Sequence, residues 1–253
     1  MNYEINTTKK SIWNCIFLVL TSTIHFVSLS QLEIPNEQNQ KYVSHKGYSV
    51  HYDQKHRQAK WVGYLLTESE TIKVAKRSNK FTQDPLVPES DNAVDYKKSG
   101  FDRGHLAPAA DMGFSIETMK ESFYYTNMSP QNPSFNRGIW KKLEEKTREW
   151  AKIYDSIYIN VGPLLNDSLP TIGPHKVSVP KYYYKVILDY RKNHSPKAIG
   201  FIFENMNSSL SIQHFVVPID KIEQLTHLDF FHQLPDAVES SLEKETCLSC
   251  WEW

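Results

Sequence analysis

Apolar and aromatic runs alternate with polar segments along most of the chain. The runs YSVHYD at residues 48–53 and WVGYLLT at residues 61–67 flank the charged segment QKHRQAK and predict a pair of strands. Further strand-like runs are SIYINVGPLL at residues 156–165, VSVPKYYYKVILDY at residues 177–190 and KAIGFIFEN at residues 197–205. Because strands and helices do not alternate regularly, the pattern predicts an α+β fold with a largely antiparallel sheet.

Helical periodicity is clearest in PSFNRGIWKKLEEKTREWAKIYD, residues 133–155. Apolar side chains recur there on one stripe, at Ile139, Leu143, Trp150 and Ile153. A shorter helix is predicted within SIETMKESFYYTN, residues 115–127, and a closing helix within PIDKIEQLTHLDFFHQL, residues 218–234. Residues 76–99 are polar, contain two prolines and show little periodicity, which predicts a long surface loop.

The first thirty residues have a different character. MNYEINTTKK ends in two lysines, and the uncharged, largely apolar SIWNCIFLVLTSTIHFVSLS follows it. That order predicts a secretory signal peptide over residues 1–30, with a mature start near Gln31 and a single domain over residues 31–253. The alternative is an uncleaved membrane anchor, because the apolar run nearly reaches the length of about 20 residues that a span needs. The expected location is therefore secreted or periplasmic, with no stable membrane association once the signal is cleaved.

Charge and cysteine content limit the function further. The chain has 29 basic and 29 acidic residues, and residues 1–30 contain only two of the lysines and one of the glutamates. The remaining chain is thus nearly neutral, which excludes a strongly basic protein that coats nucleic acid. Although the chain is nearly neutral, basic residues are concentrated at residues 73–80, 97–103 and 137–142, and these clusters could bind a polyanion. Cys247 and Cys250 are expected to form a local disulfide, with no catalytic role.

The candidate chemistry begins in GFDRGHLAPAADM, residues 100–112. Gly104 can adopt backbone shapes that other residues avoid, so Asp102 and Gly104 are expected to form a sharp bend from which Arg103 and His105 project. The alternative is an ordinary polar turn, in which Asp102 pairs with Arg103 and the histidine is incidental. An isolated four-residue match does not decide between the two.

The segment NMSPQNPSFNRGIWKKLE, residues 127–144, supplies candidate metal ligands. Asn136, Trp140 and Glu144 are spaced four apart, so on one helix the carboxamide and the carboxylate lie along neighbouring parts of one face. A neutral amide oxygen suits Mg²⁺, which keeps several of its waters, and Glu144 could hold one of those waters. The structural alternative is that Asn136 caps a helix and Glu144 pairs with Arg148.

Taken together, these two motifs resemble the DNA/RNA non-specific endonuclease family, the endonuclease G-like ββα-metal or His-Me finger nucleases. Other segments match this family in the same order: RSNKF at residues 77–81, VGPLL at residues 161–165, VPKYYYKV at residues 179–186 and LDFFHQL at residues 228–234. The resemblance covers about residues 45–235. It implies a ββα-metal nuclease fold, with a central, largely antiparallel sheet flanked by helices.

The resemblance also implies the roles of the site residues. His105 would be the general base that deprotonates water for in-line attack on the phosphodiester. Asn136 would be the single direct protein ligand of one Mg²⁺, for which Mn²⁺ could substitute, and Glu144 would hold metal-bound water. Asn127 would help to position His105.

Arg77 and Arg103 complete the implied site as cations beside the scissile phosphate. The implied activity is an exported endonuclease that cuts DNA and RNA to 5′-phosphate and 3′-hydroxyl ends, with a homodimer allowed. None of these contacts reads a base edge, so cleavage is expected at many sequences. The alternatives are a catalytically silent nucleic-acid-binding module on the same fold and a metal-dependent phosphodiesterase for smaller substrates.

Overall fold

The structure is a computed structural model that describes residues 31–38, 41–90, 92–192 and 194–253. The predicted signal peptide at residues 1–30 lies outside the described residues. Within the described ranges, no helix is both long enough and apolar enough to cross a membrane.

An antiparallel sheet of seven strands forms the centre of the fold. The strands of the described chain are β1 (Val43–Ser44), β2 (Ser49–Asp53), β3 (Gln58–Thr67), β4 (Asp102–His105), β5 (Met128–Gln131), β6 (Ser156–Pro163), β7 (Thr171–Ile172), β8 (Val177–Ser178), β9 (Tyr182–Asp189), β10 (Lys197–Glu204) and β11 (Val216–Val217). The strand order in the central sheet is β1-β2-β3-β6-β9-β10-β11. Every neighbouring pair in this sheet is antiparallel, so the predicted fold class is confirmed. Strands β4 and β5 form a separate two-stranded ladder, as do β7 and β8.

The α-helices are α1 (Ile116–Glu121), α2 (Pro133–Asn136), α3 (Ile139–Ile153), α4 (Ile219–Thr226) and α5 (Asp236–Lys244). The single helix predicted over residues 133–155 is divided into α2 and α3 by Arg137 and Gly138. At Gly138 the backbone passes so close to the carbonyl oxygen of Ser134 that an added Cβ would lie 2.3 Å from it. The predicted closing helix ends early, because His227 adopts the left-handed conformation with φ 57°.

The two faces of the sheet are covered by different helices. Along β9, Tyr183 and Ile187 pack in the cluster that contains the α3 tryptophans, whereas Tyr184 and Leu188 pack in the cluster that contains the apolar side of α4. This alternation follows from the two-residue period of a strand. The site described below is built on the α3 side.

The carboxyl end of the chain is fastened to α3. Cys247 and Cys250 form the expected disulfide. Trp251 then packs against Trp150, with ring centroids 4.6 Å apart, and the Trp150 indole donates a hydrogen bond to the carbonyl oxygen of Glu252 at 2.6 Å. These contacts anchor the carboxyl-terminal residues on Trp150 of α3.

Candidate active site

The DRGH motif forms strand β4, which pairs with β5 in an antiparallel ladder. Asp102 lies opposite Gln131, and His105 lies opposite Met128. Helices α2 and α3 follow β5 directly in the chain, so the unit is two strands and then a helical segment. Both sequence motifs are thereby placed in one compact ββα unit.

The predicted bend at Gly104 is wrong. Gly104 lies inside β4, and the described glycines with positive φ are Gly100 and Gly173. A glycine is needed for space, because a Cβ at Gly104 would lie 2.2 Å from the Cδ and Oε1 atoms of Gln131. Gln131 is fully buried.

Replacing Gly104 by alanine is expected to lower the free energy of unfolding by about 1–3 kcal/mol, because the new methyl group overlaps a buried side chain. Gly113→Ala is the matched control, since the nearest atom to its Cβ would be Lys73 Cγ at an ordinary 3.5 Å. Urea unfolding measures both variants. Equal midpoints for the two would contradict the steric role of Gly104.

Asp102 links the strand to the predicted metal ligand. Its Oδ2 accepts a hydrogen bond from Asn136 Nδ2 at 2.9 Å, and its carboxylate accepts two from the guanidinium of Arg137, at 2.9 and 2.6 Å. The alternative pairing with Arg103 is not found, because that guanidinium lies over the ring of Phe81, 4.1 Å from its centroid. This contact fixes the orientation of the Asn136 amide, whose Oδ1 is the atom able to bind a cation.

Asn136 and Glu144 reach the same cleft from two helices. Asn136 is the last residue of α2, and Glu144 lies in α3. The prediction that both lie with Trp140 on one helical face is therefore wrong, and Trp140 is fully buried in the core. The alternative that Asn136 caps a helix is also wrong, because Asn132 caps α2 and Gly138 precedes α3.

His105 lies at the inner wall of this cleft. It is 8% exposed, and its ring meets Phe123 edge to face at 4.8 Å and Phe81 at 5.7 Å. Its Nε2 is buried without a hydrogen-bond partner. The aromatic contacts fix the plane of the imidazole ring.

Asn127 clamps the chain just after His105. Its Oδ1 accepts a hydrogen bond from the backbone of Ala107 at 2.8 Å, and its Nδ2 donates to the carbonyl oxygens of Ala107 at 2.9 Å and Ser122 at 2.8 Å. The backbone of Leu106 also donates to the Asn127 carbonyl oxygen at 3.0 Å. Asn127 is fully buried, so it acts on the backbone around His105 and is not itself a wall of the cleft.

The cleft has a volume of about 370 Å³, and five of its eleven lining side chains are cationic. Its lining side chains are Arg77, Arg103, His105, Pro108, Ala109, Ala110, Asn136, Arg137, Lys141, Glu144 and Arg148. The structure therefore brings together five of the predicted site residues, with Asn127 directly behind them.

Burial and positive charge hold His105 neutral. Burial is the larger cause, and the neighbouring Arg77 and Arg103 add to it, so the pKa of His105 falls to about 3. An unperturbed histidine has a pKa of about 6.5. The imidazole is thus in its proton-accepting form at neutral pH.

The His105 ring is therefore expected to show no NMR titration between about pH 8 and about pH 5 in the metal-free protein. Arg77→Ala removes one of the two cations that disfavour the protonated ring, so it is expected to raise the pKa of His105. Arg137→Ala removes an arginine from the same cleft that is not among these causes, and it serves as the control. A His105 signal that titrates near pH 6.5 in the wild type would contradict the assignment.

The depressed pKa of His105 also makes stability depend on pH. Between about pH 6.5 and about pH 3 the unfolded chain binds a proton at this residue that the folded chain does not. The contribution of His105 to stability is therefore complete above pH 6.5 and is lost as the pH falls through this window.

Glu144 is the acidic group of the cleft. Burial raises the pKa of Glu144 to about 7. The positive charge of Lys185 acts to lower this pKa, and the negative charge of Asp111 acts to raise it. The alternative pairing with Arg148 is not found, because the Arg148 guanidinium donates to Asp111 Oδ1 at 2.7 Å. Tyr64 donates to the other oxygen of Asp111 at 2.8 Å, so Arg148 is held at the cleft by a fixed carboxylate.

Sequence reasoning missed Lys185, which lies in β9 beneath the cleft. It is fully buried, its Nζ has no hydrogen-bond partner, and it lies 5.1 Å from the ring centroid of Trp140. Burial lowers its pKa, while Glu144 and Asp111 act in the opposite direction. A lysine inside the apolar run YYYKVIL was the available signal, because a buried lysine needs compensating charge.

The donor atoms at the cleft fit a hard divalent cation. Asn136 offers an amide oxygen and Glu144 a carboxylate, and oxygen ligands of this kind are those that Mg²⁺ accepts while it keeps most of its waters. The hydrogen bond to Asp102 fixes the orientation of the amide.

A two-stranded ladder is thus followed by a helical segment, and a histidine from one strand and an asparagine from the helical segment line the same cleft. The chain belongs to the DNA/RNA non-specific endonuclease family, whose model matches residues 28–237. The resemblance inferred from the motifs is therefore confirmed.

Several nucleases are similar to the chain over most of its length. It is 36% identical to mitochondrial nuclease EXOG of Xenopus laevis over 215 residues, which cover 77% of this chain and 58% of that protein. It is 32% identical to mitochondrial endonuclease G of Bos taurus over 205 residues, 74% of this chain and 68% of that protein. The chain thus spans a little over half the length of its EXOG relatives.

A solved structure has the same fold. A chain of the crystal structure of the EndoG/EndoGI complex superposes with a TM-score of 0.74 and 31% sequence identity, over 81% of this chain and 90% of that chain. The predicted ββα-metal nuclease fold is confirmed by this likeness.

The predicted secreted or periplasmic location is wrong. The EXOG and endonuclease G relatives are mitochondrial, and so is nuclease 1 of Schizosaccharomyces pombe, which is 30% identical over 85% of this chain and 73% of its own length. The basic and apolar order of residues 1–30 suggested export, but the charge and hydropathy of a short segment do not identify the receptor that recognises it.

Proposed function

We propose that the protein is a metal-dependent, sequence-nonspecific endonuclease that hydrolyses DNA and RNA to 5′-phosphate and 3′-hydroxyl ends. The observation that carries this proposal is the cleft that His105 and Asn136 share, which is lined by a neutral imidazole, an oriented amide and several arginines. A base, a metal ligand and phosphate-binding cations are the parts that phosphodiester hydrolysis requires.

Substrate binding is assigned to the cations that line the cleft. Arg77, Arg103 and Lys141 offer charge to a phosphodiester backbone, which carries the same charge at every nucleotide. Contacts of this kind position a nucleic acid without reading its bases. Cleavage at many sequences follows from this mode of binding, and the proposal that both DNA and RNA are cut is supported by the family to which the chain belongs.

Proton transfer is assigned to His105. Since the ring is neutral, it can accept a proton from water that lies beside a bound phosphate. Phe81 and Phe123 fix the plane of the ring, and Asn127 fixes the backbone that follows it. Arg77 and Arg103 lie close enough to lower the pKa of His105 and to stabilise negative charge on the phosphate.

Metal binding is assigned to Asn136 directly and to Glu144 through water. The chemistry that a bound Mg²⁺, or Mn²⁺ in its place, supplies is stabilisation of negative charge on the phosphate and on the departing 3′-oxygen. Asp102 holds the amide of Asn136 in the orientation that this requires. A metal near Glu144 would also favour its ionised form over the protonated form that burial promotes.

The test is digestion of supercoiled plasmid and of single-stranded RNA by residues 31–253, with Mg²⁺, with Mn²⁺ and with EDTA. We expect nicked and then linear plasmid, degraded RNA, no cleavage in EDTA, and products that DNA ligase can rejoin. Binding without cleavage in every divalent metal would identify a silent binding module. Hydrolysis of bis(p-nitrophenyl) phosphate without plasmid cleavage would identify a phosphodiesterase for small substrates.

A mitochondrial location for the mature protein is part of the proposal. It is supported by the mitochondrial nucleases to which the chain is similar. Immunodetection in fractionated cells checks it, with recovery in the mitochondrial fraction as the expected result.

A further inference from the structure

Three exposed lysines lie to one side of the His105 cleft and do not line it. Lys97 and Lys98 occupy the turn that leads into β4, and Lys176 is the last residue of the turn between β7 and β8. These three lysines are called the basic rim. They come from two segments that are distant in the chain, so their common position depends on how the two segments pack.

The β7–β8 turn is seated on the segment that carries the first two lysines. The backbone of His175 donates to Asp95 Oδ1 at 2.8 Å, and the His175 ring makes a 2.8 Å hydrogen bond with Asp95 Oδ2. Asp95 is only 1% exposed. The backbone of Gly173 lies so close to it that an added Cβ would be 2.2 Å from Asp95 Oδ1. The third lysine of the basic rim is therefore held near the other two.

A cluster of aromatic side chains joins the basic rim to the wall of the cleft. The guanidinium of Arg103, which lines the cleft, lies 4.1 Å from the ring centroid of Phe81. The ring centroids of Phe81 and Tyr125 are 6.3 Å apart, and those of Tyr125 and Tyr96 are 6.1 Å apart. Ile172 of β7 packs against the same cluster. Because Tyr96 directly precedes the basic rim in the chain, the rim begins three side-chain contacts from the cleft.

The positive charge of the basic rim is not neutralised by neighbouring carboxylates. Over the part of the chain that the structure describes, no ion pair includes any of the three lysines. Asp95 is the carboxylate nearest to them in the sequence, and both of its oxygens are occupied by His175. Clustered exposed lysines without acidic partners create a positive potential that attracts polyanions.

The position of the basic rim favours a nucleic acid as this polyanion. Duplex DNA carries one negative charge per about 1.7 Å of its axis, so its phosphates extend well beyond the cleft on both sides of a cut. A lysine meets such a phosphate as a point charge and does not read the base. Since the aromatic cluster links the rim to Arg103, a strand that leaves the cleft on this side would pass over the rim.

We propose that Lys97, Lys98 and Lys176 bind the phosphate backbone of the nucleic acid several nucleotides away from the cut. This inference rests on the proposed function, because it places the scissile phosphate in the cleft described above. The basic rim raises the affinity for long nucleic acids of any sequence and takes no part in the hydrolytic step. Asp95 and His175 are positioning residues, since they fix the turn that carries Lys176.

The test is the salt dependence of DNA binding in EDTA, where no cleavage is expected. The three lysines of the basic rim are replaced together by alanine, and the affinity for a fluorescein-labelled duplex of about 30 base pairs is measured from about 50 to about 300 mM KCl. Each lost phosphate contact should reduce the slope of log Kobs against log salt by about 0.9, so the slope should fall in magnitude by about 2–3. Replacement of all three by arginine preserves the charge and should preserve the wild-type slope.

The matched control combines Lys192→Ala, Lys221→Ala and Lys244→Ala. These lysines are also exposed and also lack ion-pair partners within the described ranges. Lys221 and Lys244 lie on α4 and α5, which pack on the opposite face of the sheet from the site. The control has the same net charge as the alanine variant of the rim, and its slope should remain that of the wild type.

Equal slopes for the alanine variant and the control would overturn the proposal and leave the basic rim to an acidic protein partner. Should the alanine variant not fold, Lys176→Ala alone decides, with an expected fall in slope of about 1. A wild-type protein that binds no DNA at any salt concentration would overturn both this proposal and the proposed function. Equal slopes in a protein that still cuts plasmid would overturn the role of the basic rim alone.

Discussion

His105→Ala is expected to lower the rate of plasmid cleavage by about 100- to 10,000-fold, the contribution typical of a positioned general base. The ring is the proton acceptor of the cleft, it is held neutral by burial and by two arginines, and alanine offers no atom that could replace it. The measurement is the initial nicking rate of supercoiled plasmid at saturating Mg²⁺.

The control for this variant is His56→Ala. His56 is 7% exposed and therefore as buried as His105, but its Nδ1 makes a 2.9 Å hydrogen bond with Ser178 Oγ and it lies outside the cleft. If loss of a buried imidazole simply unfolds the protein, both variants should lose activity and structure together. A His105→Ala protein that cuts at the wild-type rate would rule out His105 as the base, whatever the control does.

Asn136→Ala is expected to lower the cleavage rate at least about 100-fold, because even partners outside the ligand shell cost 10- to 100-fold when removed from metal sites. The variant removes the amide oxygen that Asp102 orients, and it leaves the carboxylate of Asp102 facing Arg137 alone. Cleavage is measured over a Mg²⁺ titration, and the remaining activity should require more metal than the wild type does.

Asn132→Ala is the control for this second variant. Asn132 lies one turn earlier and caps α2 through a 3.0 Å hydrogen bond from the backbone of Ser134, so its loss should cost about 1 kcal/mol of stability. It does not line the cleft, and its Mg²⁺ dependence should remain that of the wild type. An Asn136→Ala protein with unchanged metal dependence would show that the metal is held elsewhere.

Much of the fold could be predicted from the sequence because the relevant forces are local. β9 was predicted from a nearly continuous apolar run, which fits a strand that is buried on both faces. α3 was predicted from its apolar stripe, of which Ile139, Leu143 and Trp150 are buried. Ile153, the last position of that stripe, is instead 49% exposed at the end of the helix. The end of α4 at His227 was not predicted, because a left-handed residue at a helix end depends on the contacts that follow it.

The residues of the site were predicted from motifs, but their connections were not. Gly104 packs against Gln131, which is distant in the chain, and the spacing of residues within a motif does not reveal that contact. The helix breaks at Gly138, where the backbone lies close to the carbonyl oxygen of Ser134. Asp102 illustrates the same limit, since its partner is Arg137 and not the adjacent Arg103. The motifs identified the residues of the site, but only the tertiary structure shows which partner each side chain contacts.

The carboxylate of Asp102 has a consequence for how this site can change over evolution. It holds the amide of Asn136 and the guanidinium of Arg137 at the same time. A single substitution at Asp102 would therefore release two neighbouring groups at once, and no single change at either partner could restore both. Substitutions at these three positions are therefore expected to be coupled, so that the cost of losing one side chain depends on which residues occupy the other two.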